Sequence, residues 1–169
     1  VIHRRGFSLI EAAIASAVLG VLVVGALQAM GHAARGRHRL ADVVTAARLA
    51  EELIIEIGAQ SFHDPQAASA DLGLDSGEAG ANRALYDDID DYHALVESPL
   101  RSRTGVQIAD TSWRRSVEVE YVTFTAQRTL IYVKTPTPMK RVIITVSRHG
   151  VPLATRSIIR TRDAHEVMP

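Results

Sequence analysis

The chain has 169 residues, 19 basic and 19 acidic side chains, and no cysteine. That length allows one membrane helix and one small domain, and the charge balance leaves no basic footprint, so nucleic acid is not an expected partner. Disulfides and thiolate metal sites are excluded, so an exported domain of this sequence is held by burial and sheet hydrogen bonds.

Arg4 and Arg5 stand near the start of the sequence, followed by Gly6, Phe7, Ser8, Leu9, Ile10 and Glu11. Residues 12–34 then contain no Asp, Glu, Lys or Arg. About 23 residues at a rise of 1.5 Å each suffice to cross a hydrocarbon layer of roughly 30 Å. Glu11 sits at the entrance to this run. An acidic residue at the centre of a membrane helix costs roughly 2.5–3.5 kcal/mol, so a partner for Glu11 is expected. Arg35, Arg37 and Arg39 follow the span, so basic residues flank both ends and charge alone does not orient it. Ala12, Ala13, Ser16 and Ala17 are spaced to let helices approach closely.

The stretch Gly6-Phe7-Ser8-Leu9-Ile10-Glu11-Ala12 resembles the processing motif of type IV prepilins and type II secretion pseudopilins. The resemblance implies that a prepilin peptidase cuts between Gly6 and Phe7 and N-methylates Phe7. Residues 1–6, with the basic Arg4 and Arg5, are then a leader, and Glu11 becomes the fifth residue of the mature chain. It further implies a single pass through the bacterial inner membrane, a cytoplasmic leader and a periplasmic head. The partners implied are an inner-membrane assembly platform and other pilin or pseudopilin subunits in an extracytoplasmic filament. There Glu11 would face a neighbour's N-terminal amine, whose unmodified pKa is about 7.7–8.0. Breaking one side of such a buried pair costs about 3–5 kcal/mol. Many pilins carry a proline where Gln28 stands; without it, any local melting of the helix rests on Gly20 and Gly25.

Leu40, Val43, Val44, Ala47, Ala50, Ile54 and Ile57 recur at three- and four-residue steps, and Gly58 is a stop signal. The pattern predicts one helix over about 8–57, roughly 75 Å long. Residues 7–34 form its membrane or filament-core part, and 35–60 an amphipathic continuation that packs under a head.

Residues 61–111 lack clear periodicity and read as a long variable loop. Its densest chemistry is Asp87, Asp88, Asp90 and Asp91, between Tyr86 and His93. With Glu97-Ser98-Pro99 behind it, this segment resembles minor pilins of the mannose-sensitive haemagglutinin type. It reads first as a solvated loop with turn-forming aspartates. The alternatives are a calcium site, for which carboxylates and loop carbonyls are suitable ligands, and a docking surface. The spacing is not that of an EF-hand.

Val117, Val119 and Tyr121 alternate with Glu118 and Glu120, the period of a half-buried strand. Residues 129–134, 141–147 and 153–161 are further candidates, the last two joined by a turn at Arg148-His149-Gly150. Trp113 is expected in the core or at a sheet edge. The fold class predicted is α+β: a long N-terminal helix, transmembrane in its first half, packed on a small antiparallel sheet at 112–169, as in type IV pilins. There is no Gly-x-Ser-x-Gly elbow, Walker loop or His-Glu-x-x-His helix, and His32, His38, His63, His93, His149 and His165 are scattered, so no enzymatic activity and no required cofactor are expected. The function expected is a structural subunit, a minor pilin or pseudopilin; the alternative is a binding module for adhesion or cargo mounted on the same helix. Pilus and secretion pseudopilus are not distinguished by these residues.

Overall fold

The computed structural model describes residues 8–64, 71–75 and 82–162. Its elements are the helix α1 (Leu9–Gly58) and five strands: β1 (Val96–Glu97), β2 (Trp113–Phe124), β3 (Leu130–Val133), β4 (Met139–Arg148) and β5 (Val151–Thr161). The chain divides into two compact units, Val1–Ala41 and Asp42–Pro169.

In the first unit, the Ser8 carbonyl accepts the N–H groups of Glu11 and Ala12, at 3.0 and 3.1 Å, and starts the helix. Glu11 lies in the first turn, where a carboxylate complements the helix dipole. Every described residue up to Ala41 is exposed. Ser16 donates its hydroxyl to the Ala12 carbonyl at 2.8 Å, so the one hydroxyl in the middle of the apolar run is satisfied within the helix. The segment is long and apolar enough to cross a membrane.

In the second unit, α1 buries Ala46, Leu49, Ala50, Leu53, Ile54 and Ile57. The predicted stripe is corrected at its start, because Leu40, Val43 and Val44 are exposed. Val44 stands two positions before Ala46, about 200° round a helix of 3.6 residues per turn, and so faces away from the core. The stripe that packs runs through Leu49 and Leu53 instead.

The sheet is antiparallel, in the order β1-β2-β4-β5, with β3 on β2. Tyr121 pairs with Val133 of β3 and with Lys140 of β4, while Ser116 pairs with Val96 of β1 and with Thr145 of β4. β1 and β3 therefore share one edge of β2 and β4 holds the other. Alternation along β2 and β4 sends Trp113, Val117, Val119, Val142, Ile144 and Val146 into the core with the buried helix face. The sequence places four of these strands within a few residues. β2 begins earlier than predicted, at Trp113, and the two-residue β1 was not expected. Arg148 pairs with Val151 across His149 and Gly150, both at positive φ (50° and 77°), the signature of a type I′ hairpin turn. Val146 pairs with Ala154 but Ser147 with Pro152, which leaves Leu153 as the extra residue of a bulge. β5 is an outer strand of the sheet and carries Pro152, the bulge and the exposed Arg156.

Candidate functional site

Chemistry gathers in two places: the entrance of the apolar helix, and a belt of buried charge in the second unit. At the entrance, Glu11 is within the described residues. Arg4, Arg5, Gly6 and Phe7, and the cleavage and methylation expected there, lie outside them. His165 does as well.

The belt starts from the long segment after α1, whose described residues Phe62, Tyr86, Ile89, Tyr92 and Leu100 join the core. Ser61, at its start, is tied to its middle: the Ser61 N–H donates to Asp87 O at 3.2 Å and the Ile89 N–H to Ser61 O at 3.1 Å. Tyr86, Ile89 and Tyr92 enter the core, and a 3-10 turn over Asp90–Tyr92 makes Ile89 and Tyr92 face one way. The expectation of a solvated acidic loop is corrected, since Asp88, Asp90 and Asp91 are buried with their apolar neighbours. They do form turns. Asp88 Oδ1 accepts the N–H groups of Asp90 (2.5 Å) and Asp91 (3.1 Å). Asp91 Oδ2 accepts those of Asp87 (2.9 Å) and Asp88 (3.2 Å). Their oxygens are directed at the backbone of their own turn. Among the described residues no three His, Asp or Glu side chains gather as a metal-ligand set.

Asp90 faces inward across the sheet. Its Oδ2 accepts from Lys140 Nζ at 2.7 Å, and both side chains are buried. Lys140 occupies an inward position of β4, in register with Val142 and Ile144. Its ammonium also donates to the Phe62 carbonyl and lies 4.3 Å from the Phe62 ring centroid, a cation–π contact. Burial pushes the Lys140 pKa down and the Asp90 pKa up, each against the pull of the other. Burial and the Asp90 charge push Asp88 up to about 7.

A second chain of charges links three elements. Glu56 of α1 accepts from Arg83 Nε (2.8 Å) and Nη2 (3.2 Å), and from the Tyr92 hydroxyl (3.0 Å). Arg83 Nη1 donates to Glu97 of β1. Glu97 Oε2 in turn accepts from Arg115 of β2, at 2.6 Å from Nη2 and 3.2 Å from Nε. Arg115 then returns to the helix through Nη1 to Leu49 O at 3.3 Å. Burial raises the Glu56 carboxyl, but the hydrogen bond and charge of Arg83, with Tyr92 and Arg115, outweigh it and hold the carboxyl below its usual range. Neither this chain nor the Lys140 contact was expected from sequence. Arg115 and Lys140 stand at inward positions of period-two strands, and a charge at such a position is the signal that would have found them.

His63 lies between two cations, with Nδ1 3.4 Å from Lys140 Nζ and Nε2 facing Arg162. Burial, then the charges of Lys140 and Arg162, lower its pKa from 6.5 to about 4. A pKa depressed by folding gives stability that is present above pH 6.5 and is lost as pH falls through about 4. His63→Gln should therefore flatten the acid side of the stability curve between about pH 6.5 and 4. Urea midpoints of both proteins across that range check this, and parallel curves would reject it.

The model of the prokaryotic N-terminal methylation motif matches residues 2–27. Comparisons with curated proteins and with solved structures give no match. The motif implies processing by a prepilin peptidase and assembly with other pilins, and the apolar helix fits a membrane-anchored pilin. Residues 2–27 thus match the methylation signature of type IV prepilins and pseudopilins, and the one long helix and five-stranded antiparallel sheet of the described residues have an α+β arrangement like that of type IV pilins.

Proposed function

We propose that this chain is a structural subunit, a minor pilin or pseudopilin, cut after Gly6 by a prepilin peptidase and N-methylated at Phe7. The carrying observation is the methylation motif over 2–27, with Glu11 five residues beyond Gly6 at the mouth of an uncharged run. The mature helix is held in the inner membrane in a single pass with the head in the periplasm. From there an assembly platform draws subunits into a filament, and each Glu11 meets a neighbour's Phe7 amine. Two opposite charges in hydrocarbon are costly apart and tolerable together, so the pairing both admits the subunit and fixes its register. The fully exposed apolar face of residues 9–34 supports this reading, because such a surface requires lipid or other helices around it.

Mass spectrometry of the N-terminal peptide, after expression with and without a prepilin peptidase, tests the proposal. The expected result is a new terminus at N-methylated Phe7 that depends on the peptidase. An intact leader in both preparations, with a control prepilin processed, would reject it.

A further inference from the structure

From the buried contact of Lys140 with Asp90 beside Asp88, we infer that the head carries an intramolecular isopeptide bond, an amide joining Lys140 Nζ to Asp90 Cγ. This inference is independent of the filament reading.

The reacting groups are already placed. Lys140 Nζ lies 2.7 Å from Asp90 Oδ2. Lys140 is 0% exposed, Asp90 4% and Asp88 2%. The Phe62 ring covers Nζ at 4.3 Å, and the Tyr121 ring lies at 5.5 Å. Water is thus kept from the pair, and well-oriented groups in such a site reach effective molarities of about 10⁵–10⁸ M. The apolar surroundings favour the uncharged amine and the uncharged acid, the forms that condense, and the Lys140 and Asp90 pKa values are displaced in those directions. The other Asp90 oxygen, Oδ1, is buried without a hydrogen-bond partner among the described residues. An unsatisfied buried acceptor is costly, and condensation removes one oxygen from this carboxyl.

The step balances without a co-reactant. One Nζ proton passes to the Asp90 carboxyl along the 2.7 Å hydrogen bond that already joins them. The freed Nζ lone pair forms a bond to Cγ. A second Nζ proton passes the same way to the departing oxygen, the Cγ–O bond breaks, and water leaves. One ammonium and one carboxylate become one amide and one water, and nothing is oxidised or reduced. The bond spans a sequence separation of 50 and staples the long segment to β4 in a chain that has no cysteine for the purpose.

The mass of the denatured full-length protein tests the inference. The expected mass is one water below that of the sequence, and trypsin should release a branched peptide joining residues 84–101 to residues 135–141, with no cut after Lys140. A full calculated mass, with cutting at Lys140, would overturn the bond, and this wild-type measurement needs no variant to fold. Lys140→Arg should restore the missing water.

Discussion

Glu97→Ala is expected to cost the head about 3–5 kcal/mol, the penalty for leaving buried charges without their partner. Among the described residues, Glu97 is the one carboxylate that receives both Arg83 and Arg115, whose side chains are only 3% and 2% exposed. Removing it leaves two guanidiniums facing each other in the junction between α1, β1 and β2, with Glu56 to balance only one of them. The exposed Arg48–Glu52 pair of α1, at 3.6 Å, provides the contrast. Arg48→Ala should cost only about 0.3–0.5 kcal/mol, as for other surface pairs four residues apart. Urea unfolding followed through Trp113, the single tryptophan, measures both. A loss under about 1 kcal/mol for Glu97→Ala would mean that water replaces the missing carboxylate and that the junction is not a dry network.

Glu11→Ala is expected to separate processing from assembly. The side chain lies beyond the bond to be cut, so leader removal should proceed as in the wild type. Incorporation into filaments should fall by about 100-fold or more, since a neighbour's amine would enter the apolar bundle unpaired at a cost of about 3–5 kcal/mol. Immunoblots of sheared filaments against the membrane fraction read the two effects separately. Wild-type incorporation would reject the pairing of Glu11 with Phe7, even if the N-terminus is processed as proposed.

Much of the fold was legible because it follows from short-range patterns. The charge-free run, the three- and four-residue steps and Gly58 delimited α1 almost to the residue, and period two with the His149-Gly150 turn delimited β4 and β5. The junction was not legible, for a physical reason. Its charged partners are separated by 14 to 27 residues, Arg83 and Glu97 stand in a segment with no periodicity, and charge attraction leaves no repeating trace as burial does. The aspartate segment misled in a different way. Four carboxylates in five residues suggest a solvated loop, yet Tyr86, Ile89 and Tyr92 between and around them sink the segment; Asp88 and Asp91 follow because backbone N–H groups of their own turn satisfy them, and Asp90 because Lys140 pairs with it. Acidic content predicted the turn and not the exposure. The processing motif, by contrast, is wholly local, and so could be read from eight residues.

The outer strand β5 has a consequence for life at high local density. An open strand edge is a template on which any other strand can continue the sheet. Here Pro152 withholds a donor, the extra residue Leu153 breaks the regular spacing, and Arg156 places a charge along the same run. Chains gathered closely, in a membrane or in a filament, would therefore meet through side chains rather than merge backbone to backbone. A head of this design resists merging with another sheet along its β5 edge.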